Sequence, residues 1–280
     1  MTAPLLEAVD LTKRFGGVSA VDRVSFAAAP QEITTVIGPN GAGKTTLFNL
    51  ITGFVSPTSG DVIYRGQRIT GMPAPQVAGA GIIRTFQNLI IFNETTVVEN
   101  VMVGCHRWTR TGFIQAALAL PAAVREDRTV RETAMAALAL VGLEGRAHDL
   151  ARDLPFGQQR LLEVARALVA RPALLLLDEP TAGLSAREAE HLVALIRRLR
   201  ADGVTFVVIE HNMDVVMDAA DRVIVLDYGE KIAEGAPRAV QRDPRVIAAY
   251  LGEEAVAPDG AAPGEGAARG KHALPEMPGP

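Results

Sequence analysis

The chain has a single cysteine, Cys105, which excludes an intrachain disulfide and any all-cysteine zinc site. It has no basic excess: the formal charge is −4 and the pI about 5.8, so no global field draws it to nucleic acid or to anionic lipid. Its first residues, MTAPLLEAVD, lack the basic region and apolar core of a secretory signal. No apolar run nears the ~20 residues that cross a bilayer. Gln115 to Val124 is broken by Pro121, and Ala173 to Leu177 is too short. Any spanning segment it works with belongs to another chain. With 48% hydrophobic and 21% charged residues, the 280-residue chain can still bury a sizeable core.

Apolar alternation between turn signals predicts strands at Leu5–Leu11, Ser19–Phe26 and Ile33–Ile37, then a hairpin over Asp61–Ile69 and a strand at Ile82–Thr85. From about Leu89 to Arg171 the spacing changes to three and four. It predicts helices over Val97–Met102, Val130–Val141 and Gln158–Val169, with Gly142 as a stop. Strands return at Ala173–Leu177, Thr205–Ile209, Val223–Leu226 and Lys231–Ala233, with helices over Ala186–Arg200 and Met213–Ala219. The order implies an α/β fold whose mainly parallel sheet is covered on both faces, with a helical block inserted at about 89–171. Residues 253–280, rich in Pro, Gly and Ala, predict a disordered tail.

Two constellations carry chemistry. Gly38 to Thr45, GPNGAGKT, fits the phosphate-loop pattern between a predicted strand and a predicted helix from Lys44 to Ile51. Gly38, Gly41 and Gly43 let the backbone turn and aim N–H groups at phosphate oxygens, with Pro39, Asn40 and Ala42 in the same cradle. Lys44 would bridge the terminal phosphates of ATP, the Thr45 hydroxyl would ligate Mg²⁺, and Thr46 would add a phosphate hydrogen bond. The plain alternative is a Gly-rich turn with a capping threonine. Further on, LLLLDEP (Leu174 to Pro180) is an apolar strand ending in two acids. Asp178 would hold Mg²⁺ through water and Glu179 would polarise the attacking water. The plain alternative is a helix cap and a surface charge.

Around these, the sequence resembles an ABC transporter ATPase from about Leu5 to Gly252. RTFQN (Arg84 to Asn88) resembles the Q-loop, which implies Gln87 as Mg²⁺ and water sensor. LPFGQQRLLEVARAL resembles the signature motif, AGLSAREAE the D-loop region, and IEHNM the switch, with His211 on the γ-phosphate. Phe15 matches the aromatic residue on which adenine stacks. The resemblance implies a RecA-like P-loop core with an N-terminal antiparallel β subdomain, spanning about 5–88 and 172–252, around the helical insert. It also implies two ATPase subunits, identical or paralogous, paired head to tail over two ATP molecules. Each would be carried by permease subunits on the cytoplasmic face of the inner membrane and served indirectly by a solute-binding protein.

LPFGQQR departs from the common LSGGQ. Pro155 removes a hydroxyl and an N–H, and Phe156 replaces a glycine. The trans phosphate contact therefore falls to the Gly157 and Gln158 amides and the positive end of their helix. That departure, the stretch GIIRTFQNLIIFNETTVVENVMVGCHR, IEHNMDVVM and AAYLG are similar to LivG-type ATPases of branched-chain amino acid importers. Urea or amide systems, an exporter motor, a soluble ABC protein and a small-molecule kinase are the other readings. Leu89, Ile90, Ile91 and Phe92 suggest a groove for a permease helix, Arg197, Arg198 and Arg200 a solvated helix face, and Cys105 and Trp108 packing near that partner.

Overall fold

The computed structural model describes residues 3–86, 89–109 and 120–251. The expected tail and Gln87 lie outside the described residues.

Two sheets form the body. Strands β1 (Leu6–Phe15), β2 (Val18–Ala28), β4 (Ser59–Tyr64) and β5 (Gln67–Arg68) make an antiparallel sheet in the order β2-β1-β4-β5. The second sheet contains β3 (Ile33–Ile37), β6 (Ile82–Arg84), β7 (Leu174–Asp178), β8 (Thr205–Ile209), β9 (Arg222–Asp227) and β10 (Glu230–Gly235). Its order is β10-β9-β3-β8-β7-β6, parallel throughout except at β10. Every residue of β3, β7 and β8 is buried. Strands covered on both faces lose polar alternation, which is why LLLL and TFVVI read as plain apolar runs.

Helix α1 (Lys44–Ile51) follows β3, and α2 (Ala74–Ala80) precedes β6. The inserted block contains α3 (Val97–Val103), α4 (Pro121–Leu140) and α5 (Phe156–Val169). Next come α6 (Ala186–Ala201), α7 (Met213–Ala219), α8 (Pro237–Val240) and α9 (Pro244–Leu251). One buried cluster joins the helical block to a face of the parallel sheet through Leu138, Leu162, Leu175 and Phe206. A second fills the space between the two sheets with Leu11, Phe48, Leu176 and Ile224.

Several boundaries differ from the sequence reading. Helix α4 starts at Pro121 rather than Val130, because its first turns are largely exposed and a proline suits a helix start. Helix α5 starts at Phe156 rather than Gln158. Helix α2 carries one buried residue, Val77, in a run of small residues too featureless for a periodicity signal. Arg197 and Arg200 are not simply solvated: they pair with Asp218 at 2.6 Å and Asp221 at 2.9 Å, tying α6 to the far end of α7. Cys105 is fully buried in the helical core, and the Trp108 indole donates to the Val169 carbonyl at 2.8 Å.

Candidate active site

The parallel order brings the C-terminal ends of β3, β7 and β8 side by side, and the crevice beyond such ends is where open α/β sheets bind ligands. From β3 the chain enters the Gly38–Gly43 loop, and α1 begins at Lys44 with Gly43 in a left-handed conformation, φ 98°. A Cβ on Gly43 would stand 2.2 Å from the Ala20 carbonyl oxygen, so no side chain fits there. The loop is also tied to the β9–β10 turn, where Gly229 N–H donates to the Ala42 carbonyl at 3.1 Å. Asn40 to Thr46, with Ala20 and Glu179, line a cavity of about 240 Å³. Gly38 and Pro39 stand behind it, and their carbonyls hold the Lys44 ammonium at 2.7 and 2.8 Å. Burial lowers the Lys44 pKa, and the negative charges of Glu179 and Asp178 oppose that shift.

Asp178 ends β7 almost wholly buried. Its Oδ2 accepts from Arg84 Nη2 at 2.8 Å, while its Oδ1 has no hydrogen-bond partner. Burial pushes its carboxyl upward, and the Arg84 bond and charge pull it back. Arg84 also donates to Asn49 of α1 at 2.6 Å and lies over the Phe48 and Phe86 rings. The end of β6 is thereby tied to both chemical segments. The motif RTFQN had drawn attention only to its glutamine, and the basic residue inside an apolar strand was the missed signal.

Glu179 follows in a left-handed conformation, φ 48°, held by its N–H to the Ile209 carbonyl at 2.9 Å. Such a conformation costs a non-glycine residue about 1–3 kcal/mol and clusters at functional sites. Its carboxylate is 3.9 Å from His211 Nδ1, so β7 and β8 each deliver one chemical group to the crevice. Between them lies Glu210, which the sequence reading passed over. Its carboxylate accepts from the Thr181 hydroxyl at 2.6 Å and from the His211 and Asn212 N–H groups at 3.1 and 3.4 Å. The segment after Glu179 and the turn carrying His211 therefore share one buried anchor.

Phe15 ends β1 half exposed beneath the Lys13 ammonium, 5.0 Å from its ring centre, and is not part of the cavity lining. The LPFG segment is likewise absent from the cavity of its own chain. Pro155 is the N-cap of α5, so the N–H groups of Phe156, Gly157 and Gln158 have no intrahelical acceptor. The Phe156 ring packs on Gly183, and the Gln158 side-chain oxygen accepts from Arg146. Gly157 lies against a side chain of its own chain that the sequence did not show. A Cβ there would lie 2.0 Å from Glu188 Oε1, in the carboxylate that caps α6.

A family model described as "ABC transporter" matches residues 21–182. A high-affinity branched-chain amino acid transport ATP-binding protein, BraF of Pseudomonas aeruginosa, is 44% identical over 254 residues, covering 90% of this chain and all of that one. LivG of Escherichia coli is 43% identical over the same span. The chain belongs to the ATP-binding subunits of ABC transporters. A second model, "Branched-chain amino acid ATP-binding cassette transporter", matches residues 230–256. The fold agrees: a nucleotide-free ATP-binding cassette superposes with a TM-score of 0.78 at 33% identity, covering 90% of this chain and all of the other. A dimeric bacterial ABC transporter cassette gives 0.72 at 26% identity, covering 83% and 99%. The chain is thus an ATPase with the α/β P-loop fold that its motifs resembled, and the ATPase subunit presents its loop, acid pair and histidine at adjacent strand ends.

Proposed function

We propose that this ATPase subunit powers an importer of branched-chain or similar hydrophobic amino acids. The observation that supports its chemistry best is the convergence of the phosphate loop, Asp178, Glu179 and His211 at the ends of three neighbouring strands. The loop N–H groups from Asn40 to Thr46, the start of α1 and the Lys44 ammonium hold the phosphates of ATP. The site fits Mg²⁺: Asp178 Oδ1 is buried without a partner, and the Thr45 hydroxyl is an oxygen donor at the first turn of α1. When bound, Mg²⁺ neutralises charge developing on the β- and γ-phosphate oxygens. Glu179 takes a proton from water as its oxygen joins the γ-phosphorus and the bond to ADP breaks. His211 contacts the γ-phosphate, and Gln87 senses the metal and the water.

In this reading Phe15 stacks on adenine from outside the phosphate cavity. Phe156 to Gln158 offer their N–H groups to the nucleotide of a second subunit, identical or paralogous. The transmembrane permease has a matching surface in a groove of about 570 Å³ between β6 and the helical block. Ile90, Phe92 and Val103 expose apolar surface there, which suits an apolar helix of another chain. That docking puts the subunit at the cytoplasmic face of the inner membrane, and a solute-binding protein delivers substrate on the other side. Nucleic acid has no place in the account.

The amino acid class rests on the names of the relatives and on the second family model. Urea and amide importers are the second reading, since the solute never meets this chain. The test is uptake by proteoliposomes containing the subunit purified with its membrane partners. ATP inside is expected to drive accumulation of labelled leucine outside-in, with competition by isoleucine and valine. Urea uptake without leucine uptake would replace the proposed solute.

A further inference from the structure

Glu210 stands between the end of β8 and His211, and only 1% of it is exposed. An ionised carboxylate accepts at about four lone-pair positions and donates at none. Here its two oxygens divide four donors between them. Oε1 accepts from the Thr181 N–H at 3.1 Å and from the Thr181 hydroxyl at 2.6 Å. Oε2 accepts from the His211 and Asn212 N–H groups at 3.1 and 3.4 Å. All four donors are neutral, and a charge can be buried in this way only when such bonds replace its hydration. One oxygen thus serves the segment after Glu179, and the other serves the turn that carries His211.

The neighbouring backbone makes that division a mechanical one. Glu179 donates its N–H to the Ile209 carbonyl at 2.9 Å, and two residues later Thr181 is held by Glu210. The left-handed Glu179 is therefore braced by consecutive residues, 209 and 210. On the other side, Asn212 is fixed twice. Its N–H goes to Glu210, and its side chain caps α7 by accepting from the Asp214 and Val215 N–H groups at 3.0 and 3.4 Å. His211 lies between these bonds with its imidazole 3.9 Å from the Glu179 carboxylate. Glu210 is itself anchored, since its N–H donates at 3.3 Å to the Val36 carbonyl of β3, the strand that leads into the phosphate loop.

We propose that Glu210 is a positioning residue for ATP hydrolysis: its two oxygens set the distance between the Glu179 carboxylate and the His211 imidazole. It acts through those two groups rather than on the nucleotide. The proposal rests on the reading of Glu179 and His211 as the acting groups of the site.

Glu210→Gln tests it, because the shape is kept while one acceptor oxygen becomes an NH₂ donor. Each oxygen faces at least one backbone N–H, so either orientation of the amide sets donor against donor. In the complex with the membrane partners, kcat is expected to fall about 10–100-fold, the scale of a misplacement of about 1 Å. Calorimetric titration of the full-length chain should give the parent's affinity for Mg·ATP, because the phosphate loop is untouched. Thr181→Val loses only the hydroxyl donor and should lower kcat about threefold to tenfold, the size of one hydrogen bond. Thr181→Ser keeps that donor and should retain the parent's kcat. Thr34→Val makes the same exchange at a buried hydroxyl with no partner among the described residues, and should also leave kcat unchanged. If Glu210→Gln does not fold, the two Thr181 variants decide alone.

Parental kcat in Glu210→Gln or in Thr181→Val would overturn the proposal. So would a loss of ATP affinity as large as the loss of kcat, or equal slowing in Thr181→Ser or Thr34→Val, since each marks packing alone. Glu179→Gln separates the two layers. Near-parental turnover there fells the reading of the acting groups and the proposal with it. If Glu179→Gln is slowed while Glu210→Gln is parental, only the role of Glu210 falls.

Discussion

Glu179→Gln is expected to bind ATP and to hydrolyse it about 10²–10⁴-fold more slowly, the usual contribution of a general base. That range corresponds to about 3–5 kcal/mol of transition-state stabilisation. Glutamine keeps the size of the side chain and leaves the strained backbone at φ 48° with its bond from the residue 179 N–H to Ile209. What it removes is the carboxylate proposed to take the proton, 3.9 Å from His211 Nδ1. The variant should therefore accumulate in the ATP-bound, dimeric state, which gel filtration with and without ATP can show alongside phosphate release. Turnover near that of the parent would remove Glu179 from its role and turn attention to the neighbouring buried Glu210.

Gly157→Asp should separate ATP binding from ATP use. The substitution lies outside the cavity of its own chain, so affinity for Mg·ATP should remain close to the parent's. At the start of α5 it adds a carboxylate beside the N–H groups of Phe156, Gly157 and Gln158, and in the proposed pair like charge repels the triphosphate of the second subunit. ATP-driven dimerisation and transport-coupled hydrolysis are expected to be lost. The same side chain presses on Glu188, whose carboxylate caps α6 through Ser185. Loss of such a cap costs about 1 kcal/mol, or roughly 2–4 °C in a chain of this size. Glu188→Ala isolates that part: it should show the lowered melting temperature and still dimerise with ATP. Pro155→Ser should be tolerated, because Pro155 occupies the cap rather than the helix interior. If Gly157→Asp dimerises like the parent, the segment does not meet the opposite nucleotide.

Most of the candidate site was legible because its residues are contiguous. The loop from Gly38 to Thr46, the pair Asp178–Glu179 and the turn at His211 each carry a local pattern, and each follows an apolar strand whose end could be read. The anchors were not legible, since their meaning depends on partners far away in sequence. Arg84 reaches Asp178 across 94 residues, and Glu210 reaches Thr181 across 29. Nothing within RTFQN or IEHNM states those pairings; only the strand order β3-β8-β7-β6 creates them. At Gly157 the sequence showed the glycine but not its neighbour: the Glu188 side chain of the same chain lies beside it. The final helices escaped notice because one buried valine each, Val240 and Val246, leaves no periodicity to find.

The arrangement of two subunits around ATP is tested most directly by the structure of Glu179→Gln crystallised with Mg·ATP and its second ATPase subunit. The account predicts a head-to-tail pair in which residues 38–46 wrap the phosphates of one ATP, Asp178 Oδ1 and the Thr45 hydroxyl face the metal, and Phe156 to Gln158 approach the triphosphate held by the other subunit. ATP bound away from the loop, or a closed pair whose LPFG segment faces solvent, would contradict it.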